Sequence, residues 1–475
     1  MNVLDHTKAH QHFFEEMTRI PHGSFHEKAY SDYLVAFAKD RDLKWVQDDM
    51  HNVIIYAPAA KGYEDHETLI LQAHMDMVCE KDKDVDFDFG HDALNLYIED
   101  GWLKAKGTTL GADDGCGVAY MLAILDGEYP HPPLECVFTV QEEVGLCGAL
   151  GLDGSKIHGK RLINLDGGGE ISTCTTSAGG ANVIAERTLE RQPVKHPVYC
   201  LRVGGLSGGH SGEKIHEEKG NANKLAARIL TAVTKVSTIT LASVEGGMKD
   251  NAIPREASAT FSCELSLSAL QEIVNKVEQG IKKELEFSDS GIEISLSESS
   301  AETVMSPCDT LAYLNFMTLL PHGVHHRSMS IEGLTTASMN AAVVTCDQDM
   351  VMINCSVRGA LESYIDTIAE EIELLADTFG FKHHRDARYP AWSYDANSPM
   401  REILQRVFKT MYDQELELIA VHGGLECGVF KAMNADMDIV TMGPISESVH
   451  TPEERLELIS FDRTFKLLCA YLKEL

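Results

Sequence analysis

Five short stretches place imidazole or carboxylate side chains where a metal ion could be held. In "LILQAHMDMVCEK" an apolar run ends at His74. Strand alternation puts His74 and Asp76 on one face, a ligand with an orienting carboxylate beside it. In "TLGADDGCGVAYMLAIL" the adjacent Asp113 and Asp114 stand among Gly111, Gly115 and Gly117, at the mouth of an apolar helix. Such glycines let backbone and ligand approach closely, although an aspartate there could equally be a helix N-cap. "FTVQEEVGLCGALGL" ends a strand at Glu142 and Glu143, whose side chains point oppositely and can take different tasks. "LINLDGGGE" ends another at Asp166, where open α/β sheets place ligands and where ordinary turns also use Asp-Gly. In "GPISESVHTPEERLEL", His450 sits in a polar loop ahead of a Thr-Pro helix start.

Taken together, His74, Asp113, Glu143, Asp166 and His450 offer two nitrogen and three carboxylate donors and no thiolate. That set suits two borderline divalent ions, zinc first, with cobalt or manganese as alternatives. Two dications, three carboxylates and one hydroxide sum to neutrality, which a buried centre tolerates.

The elements that must position these residues are short apolar runs, "HNVIIYAP", "TLILQAH", "LECVFTV" and "RLINLDGG", alternating with helical patterns. This predicts an α/β sheet covered on both faces. A chain of 475 residues is long enough for two domains. Lys plus Arg number 41 against 73 for Asp plus Glu, and the formal charge of -32 argues against nucleic acid and anionic membrane as partners. The start lacks a basic region followed by an apolar one, and no run approaches a membrane span, so a cytoplasmic protein is expected. Twelve cysteines, never spaced as CxxC, read as buried or incidental thiols. No GxxxxGK[ST] or GxGxxG run supports nucleotide binding.

The motifs "HMDMVCEK", "TLGADDGCGVA", "QEEVGLCGA", "NLDGGGE", "LSGGHSGEKI" and "ESVHTPEERL", in this order, resemble the di-zinc aminopeptidase and carboxypeptidase superfamily. The resemblance is closest to its aminoacyl-histidine (Xaa-His) dipeptidase branch and covers essentially the whole chain. It implies a mixed-sheet, three-layer αβα catalytic domain with an inserted α+β lid of two ferredoxin-like halves. It implies that Asp113 bridges two metals, that His74 and Asp166 complete one site and Glu143 and His450 the other, and that the Asp113-Asp114 peptide is cis. Glu142 is then left as general base, taking a proton from the water that the ions polarise and delivering it to the leaving amine. Asp76 holds the His74 ring. By the same resemblance His210 helps stabilise the oxyanion and Arg358 holds the substrate's terminal carboxylate, with Asn251 and Gly424 as further substrate contacts.

The pattern changes near Arg187 and again near Tyr394, giving an expected catalytic domain of residues 1–186 and 395–475 around a lid of 187–394. Within that lid "NAIPREASATFSCELSLSALQEIVNKVEQGI" parallels "NAAVVTCDQDMVMINCSVRGALESYIDTIAEEI". Aligning Cys263 with Cys355 sets Ile273 and Val277 opposite Ile365 and Ala369. A duplicated lid would complete the site within one chain, leaving monomer or homodimer open. The activity implied is hydrolysis of unblocked dipeptides, especially Xaa-His and including β-alanyl-histidine. The alternatives are an N-acyl amino acid amidohydrolase or short-peptide carboxypeptidase on the same fold and, more remotely, a non-catalytic metal-binding protein.

Overall fold

The structure, a computed structural model, describes residues 2–329 and 331–475. The chain divides into two units, one of Met1–Ser177, Trp392–Ala420 and Leu425–Leu475, the other of Ala178–Ala391 and Val421–Gly424.

In the first unit a six-stranded sheet runs in the order Lys44–Gln47, Val53–Ala57, Leu134–Thr139, Leu69–His74, Arg161–Asn164, Asp438–Thr441. The last four strands are parallel and Val53–Ala57 opposes its neighbours, so the sheet is mixed. Leu69–His74 and Leu134–Thr139 are buried at every position, as strands of a sheet covered on both faces must be. Helix Ala112–Asp126 and the C-terminal helix Leu458–Leu472 join this core through Tyr120, Leu122, Phe461 and Leu468. Helix Pro399–Tyr412 starts where its residues dictate: Ser398 accepts the Arg401 N–H and proline fills the first turn. Leu69–His74 lies between Leu134–Thr139, reached through helix Ala112–Asp126, and Arg161–Asn164, on its other side. Open α/β sheets form ligand sites at the carboxyl ends of strands flanking such a reversal. A small four-stranded sheet, Ser446–Glu447, Arg455–Glu457, Trp102–Ala105 and Leu96–Glu99, holds the loop that carries His450.

The second unit carries a long antiparallel sheet made of two similar halves. In one half the strands Val198–Gly204, Ile239–Gly246, Ala257–Cys263 and Glu293–Ser299 stand in the spatial order fourth, first, third, second. Helices Ala222–Thr234 and Leu267–Glu284 connect the first to the second and the third to the fourth. Gly179–Thr188, Thr335–Cys346, Met350–Gly359 and Lys382–Tyr389 repeat the same order in the other half, with helices Pro307–Leu319 and Glu362–Thr378. The first half is thus inserted after the opening strand of the second. Its two ends leave through a neck in which Arg191–Pro193 pairs with Thr303–Met305. The halves meet where Gly246 faces Val344.

Two details differ from the sequence reading. The pattern change at 187 falls at the end of strand Gly179–Thr188, which belongs wholly to the second unit; its opening "GGANV" carries little signal of its own, so the earlier boundary did not show in the sequence. The repeat also has another register. Leu270, Val274 and Ile281 are the buried positions of one helix, and Ile365, Ala369 and Ala376 match them in the other, three positions from the cysteine-based alignment. Cys263 ends its strand, whereas Cys355 lies inside a strand that continues to Gly359, so the two cysteines sit at different depths. Asn340 is likewise within Thr335–Cys346, while Asn251 is in a loop.

Among the described residues no helix is long and apolar enough to cross a membrane, and the twelve cysteines form no disulfide.

Candidate active site

The carboxyl ends of the parallel strands bring the first cluster together. His74 closes its strand with Nε2 3.0 Å from Asp113 Oδ1. The other Asp113 oxygen is 3.2 Å from His450 Nε2, and that nitrogen is 3.0 Å from Glu143 Oε1. Asp166 follows strand Arg161–Asn164. Ligand-capable atoms of His74, Asp113 and Asp166 lie within 4.8 Å of one another, as do those of Asp113, Glu143 and His450, so Asp113 is common to both groups. Those of His74, Glu142 and Glu143 form a third such set.

The loop that presents Asp113 is shaped by its glycines. Gly111 has φ 70°, the left-handed region that favours glycine, and the Asp113-Asp114 peptide is cis. Asp114 turns inward instead, its Oδ1 accepting the Gly117 N–H at 3.1 Å.

Asp76 lies beside the His74 ring through both its main chain and its side chain. The His74 Nδ1 meets the Asp76 main-chain carbonyl at 3.0 Å, with the carboxylate further off at 3.5 Å. That carboxylate also accepts from the Glu142 N–H at 3.0 Å, the Glu143 N–H at 3.3 Å and Ser24 Oγ at 2.8 Å. The residue thus stands by the His74 ring, as its spacing suggested, and also anchors the backbone of both glutamates, which the sequence did not show.

Two buried acids were not picked out from the sequence. Glu454 accepts the N–H groups of Leu110, Gly111 and Ala112 at 2.7, 3.1 and 2.8 Å, tying the His450 loop to the Asp113 loop. Glu426, at the start of helix Glu426–Met433, accepts from Gln72 Nε2 and from Thr139 Oγ1 at 2.7 Å, and Gln72 Oε1 accepts from Asn164 Nδ2 at 2.7 Å. All four are buried, a polar rung across three strands just below the donors. The only local signal for either acid was its place beside "SVHTP" or "HGGL".

The electrostatics fit a cationic centre. Burial alone would raise the Asp113 carboxyl, but hydrogen bonds from His450 and His74 overturn this and hold it far below the carboxylate range. Asp113 first and Glu143 second push the His450 imidazole up to about 11. Burial drives Glu142 and Asp166 well upward, and neighbouring carboxylates add to it, Glu143 for the one and Asp113 for the other. Glu143 Oε1 is buried and meets the same His450 nitrogen that Asp113 meets. Oxygen and imidazole donors converging at this density match divalent cations in charge and ligand type.

A second cluster lies wholly within the second unit. Arg358, in Met350–Gly359, is 7% exposed. Its Nη1 donates to Tyr389 Oη at 2.9 Å and its Nε to Ser211 Oγ at 3.4 Å, with His210 Nε2 3.5 Å from Nη2. Asn251 is drawn in as well, its carbonyl accepting the Ser211 N–H at 2.7 Å. Gly424 lies against the Tyr389 ring. His422, with Nε2 2.7 Å from Ser338 Oγ, is held down to about 3 by burial and then by Arg358. Among the described residues no carboxylate comes within 4.0 Å of the Arg358 guanidinium, which leaves a buried cation without a protein counter-ion.

With this geometry in place the comparisons are decisive. The profile of peptidase family M20/M25/M40 matches residues 70–474. The chain belongs to this family. As an M20 peptidase it is a metal-dependent hydrolase. It is 34% identical over 469 residues to the cytosol non-specific dipeptidase of Escherichia coli (strain K12), covering 97% of this chain and 96% of that one. It is also similar to the crystal structure of aminoacylhistidine dipeptidase from Vibrio alginolyticus, with a TM-score of 0.85, 32% identity, and coverage of 98% of this chain and 96% of that chain. Aminopeptidase PepT from Bacillus cereus, at 17% identity, a TM-score of 0.57 and 99% coverage of both chains, shares the M20 peptidase's fold.

Proposed function

We propose that this M20 peptidase is a di-metal dipeptidase that hydrolyses unblocked dipeptides, Xaa-His among them, in the cytoplasm. The observation that carries the reading is the sharing of Asp113 between two donor groups, one with His74 and Asp166, the other with Glu143 and His450. The names of the Escherichia coli and Vibrio alginolyticus relatives point the same way. Zinc is the first choice for both positions, with cobalt or manganese as alternatives.

Two bound ions would polarise the scissile carbonyl and acidify water between them. Glu142, carrying no side-chain hydrogen bond among the described residues, would serve as the base, accepting a proton from the attacking water and returning it to the leaving amine. Asp76 fixes the backbone from which Glu142 projects. In the second unit Arg358 holds the substrate's terminal carboxylate, for which a fork of N–H donors is well shaped. His210 supplies an oxyanion donor, and Asn251 and Gly424 border the same pocket.

The test is release of histidine from β-alanyl-histidine and other Xaa-His dipeptides by metal-reconstituted protein, with N-acetylated and tripeptide versions alongside. Cleavage of the unblocked dipeptides alone, abolished by chelator, is expected. Cleavage of the acetylated set would make the protein an amidohydrolase, and of tripeptides a short-peptide carboxypeptidase. Silence across the panel would leave only metal binding.

A further inference from the structure

Arg358 can only donate hydrogen bonds, so in its contact with Tyr389 the phenol oxygen must be the acceptor. The Tyr389 O–H proton is therefore directed elsewhere, and among the described residues it has no acceptor. Resting on the reading of Arg358 as the carboxylate clamp, we propose that Tyr389 is a second anchor for the substrate's terminal carboxylate, donating its O–H to the anion that Arg358 binds.

Three features of the fold place the phenol there. Arg358 and Tyr389 lie on strands either side of Gly179–Thr188, and both pair with the same residue, Gly180. Their backbones are thus two strand spacings apart, about 10 Å, and the side chains meet only by reaching over the middle strand. Gly180 makes room for this: a Cβ there would fall 2.6 Å from Tyr389 Oη. Across the ring, a Cβ on Gly424 would fall 2.9 Å from Tyr389 Cε2. The ring thus occupies a slot between two positions that lack side chains, which fixes its hydroxyl.

A bulge supplies the aim. Asp386 pairs with Asn182 and Tyr389 with Gly180, one residue more on the outer strand than on the inner, with Ala387 at φ 50°. Regular pairing would set Arg388 opposite Gly180. The extra residue hands that position to Tyr389 and sends Arg388 out to Glu362 and Asp366. Bulges near functional sites redirect a side chain in this way. A left-handed backbone at an alanine is uncommon, and here it serves the phenol's placement.

The experiment compares an unblocked dipeptide with its C-terminal amide, as substrates or, where the amide is not cleaved, with the amide as competing inhibitor. Wild-type protein should prefer the free carboxylate. Tyr389→Phe should raise KM for the free dipeptide about tenfold, leave the amide nearly unchanged and keep bound metal and melting temperature at wild-type values. An equal loss on both ligands, or no change on either, overturns the proposal. A wild-type protein indifferent to amidation sinks the Arg358 reading itself, a separate outcome from failure of Tyr389 alone. Gly424→Ala, which keeps the hydroxyl but crowds the ring, provides a second reading and should shift the same preference in the same direction.

Discussion

Glu142 and Glu143 are chain neighbours with opposite assignments, and substitution separates them. Glu142→Gln should lower kcat by about a hundredfold or more while both ions stay bound, as metal analysis would record. Retention of near-full turnover would remove Glu142 as the base. Asp76→Ala, which frees two backbone N–H groups and Ser24, should weaken metal affinity about 10–100-fold, measured by competition with a chelating dye. Among the proposed metal donors, His74, Glu143 and Asp166 were legible in the sequence because each follows an apolar run, and Asp113 because glycines flank its loop; His450, in a polar loop, stood out only through its place before Thr-Pro and through the family resemblance. Glu454, Glu426 and Tyr389 were not, because their roles rest on distant partners: Glu454 binds an N–H 344 positions away and Glu426 an amide 354 away. No local pattern encodes such a pairing.

At the level of elements, the rung formed by Gln72, Thr139, Asn164 and Glu426 braces the strands from which His74, Glu142, Glu143 and Asp166 emerge. Glu426→Ala leaves the Gln72 amide and the Thr139 hydroxyl without a shared acceptor inside the core. A loss of about 1–3 kcal/mol in urea unfolding is expected. The strands themselves could be read from "LILQAH" and "LECVFT" because burial on both faces leaves a mainly apolar run. The duplicated sheet could be read only as a pattern. Its register escaped because the cysteines chosen as landmarks sit at different depths in strands of unequal length.

For the molecule as a whole, acid should act on the second unit through Asp309. Burial works to raise this carboxyl, but the Glu190 N–H, Ser306 and Arg187 together hold it below its usual range. A folded-state value below the unfolded one contributes stability above the unfolded pKa, and that contribution is lost as pH falls through the folded value. Wild-type stability should therefore decline below about pH 4 through this group, whereas Asp309→Asn should be less stable at neutral pH, by about 3 kcal/mol, and flatter in the acid range. Unfolding curves at pH 7 and pH 3 test both signs. If the duplicated lid serves its own chain, specific activity should stay constant on dilution to monomer.

The neck between Arg191–Pro193 and Thr303–Met305 has an evolutionary meaning. Everything between those strands begins and ends at one place, since Val198 pairs with Ser299 just inside it. That stretch is in effect a cassette, exchangeable without interrupting any strand of the half that receives it. His210 and Asn251 travel inside the cassette, while Arg358 and Tyr389 stay with the host. A changed cassette would therefore alter His210 and Asn251 while the Arg358–Tyr389 contact of the host half was inherited intact.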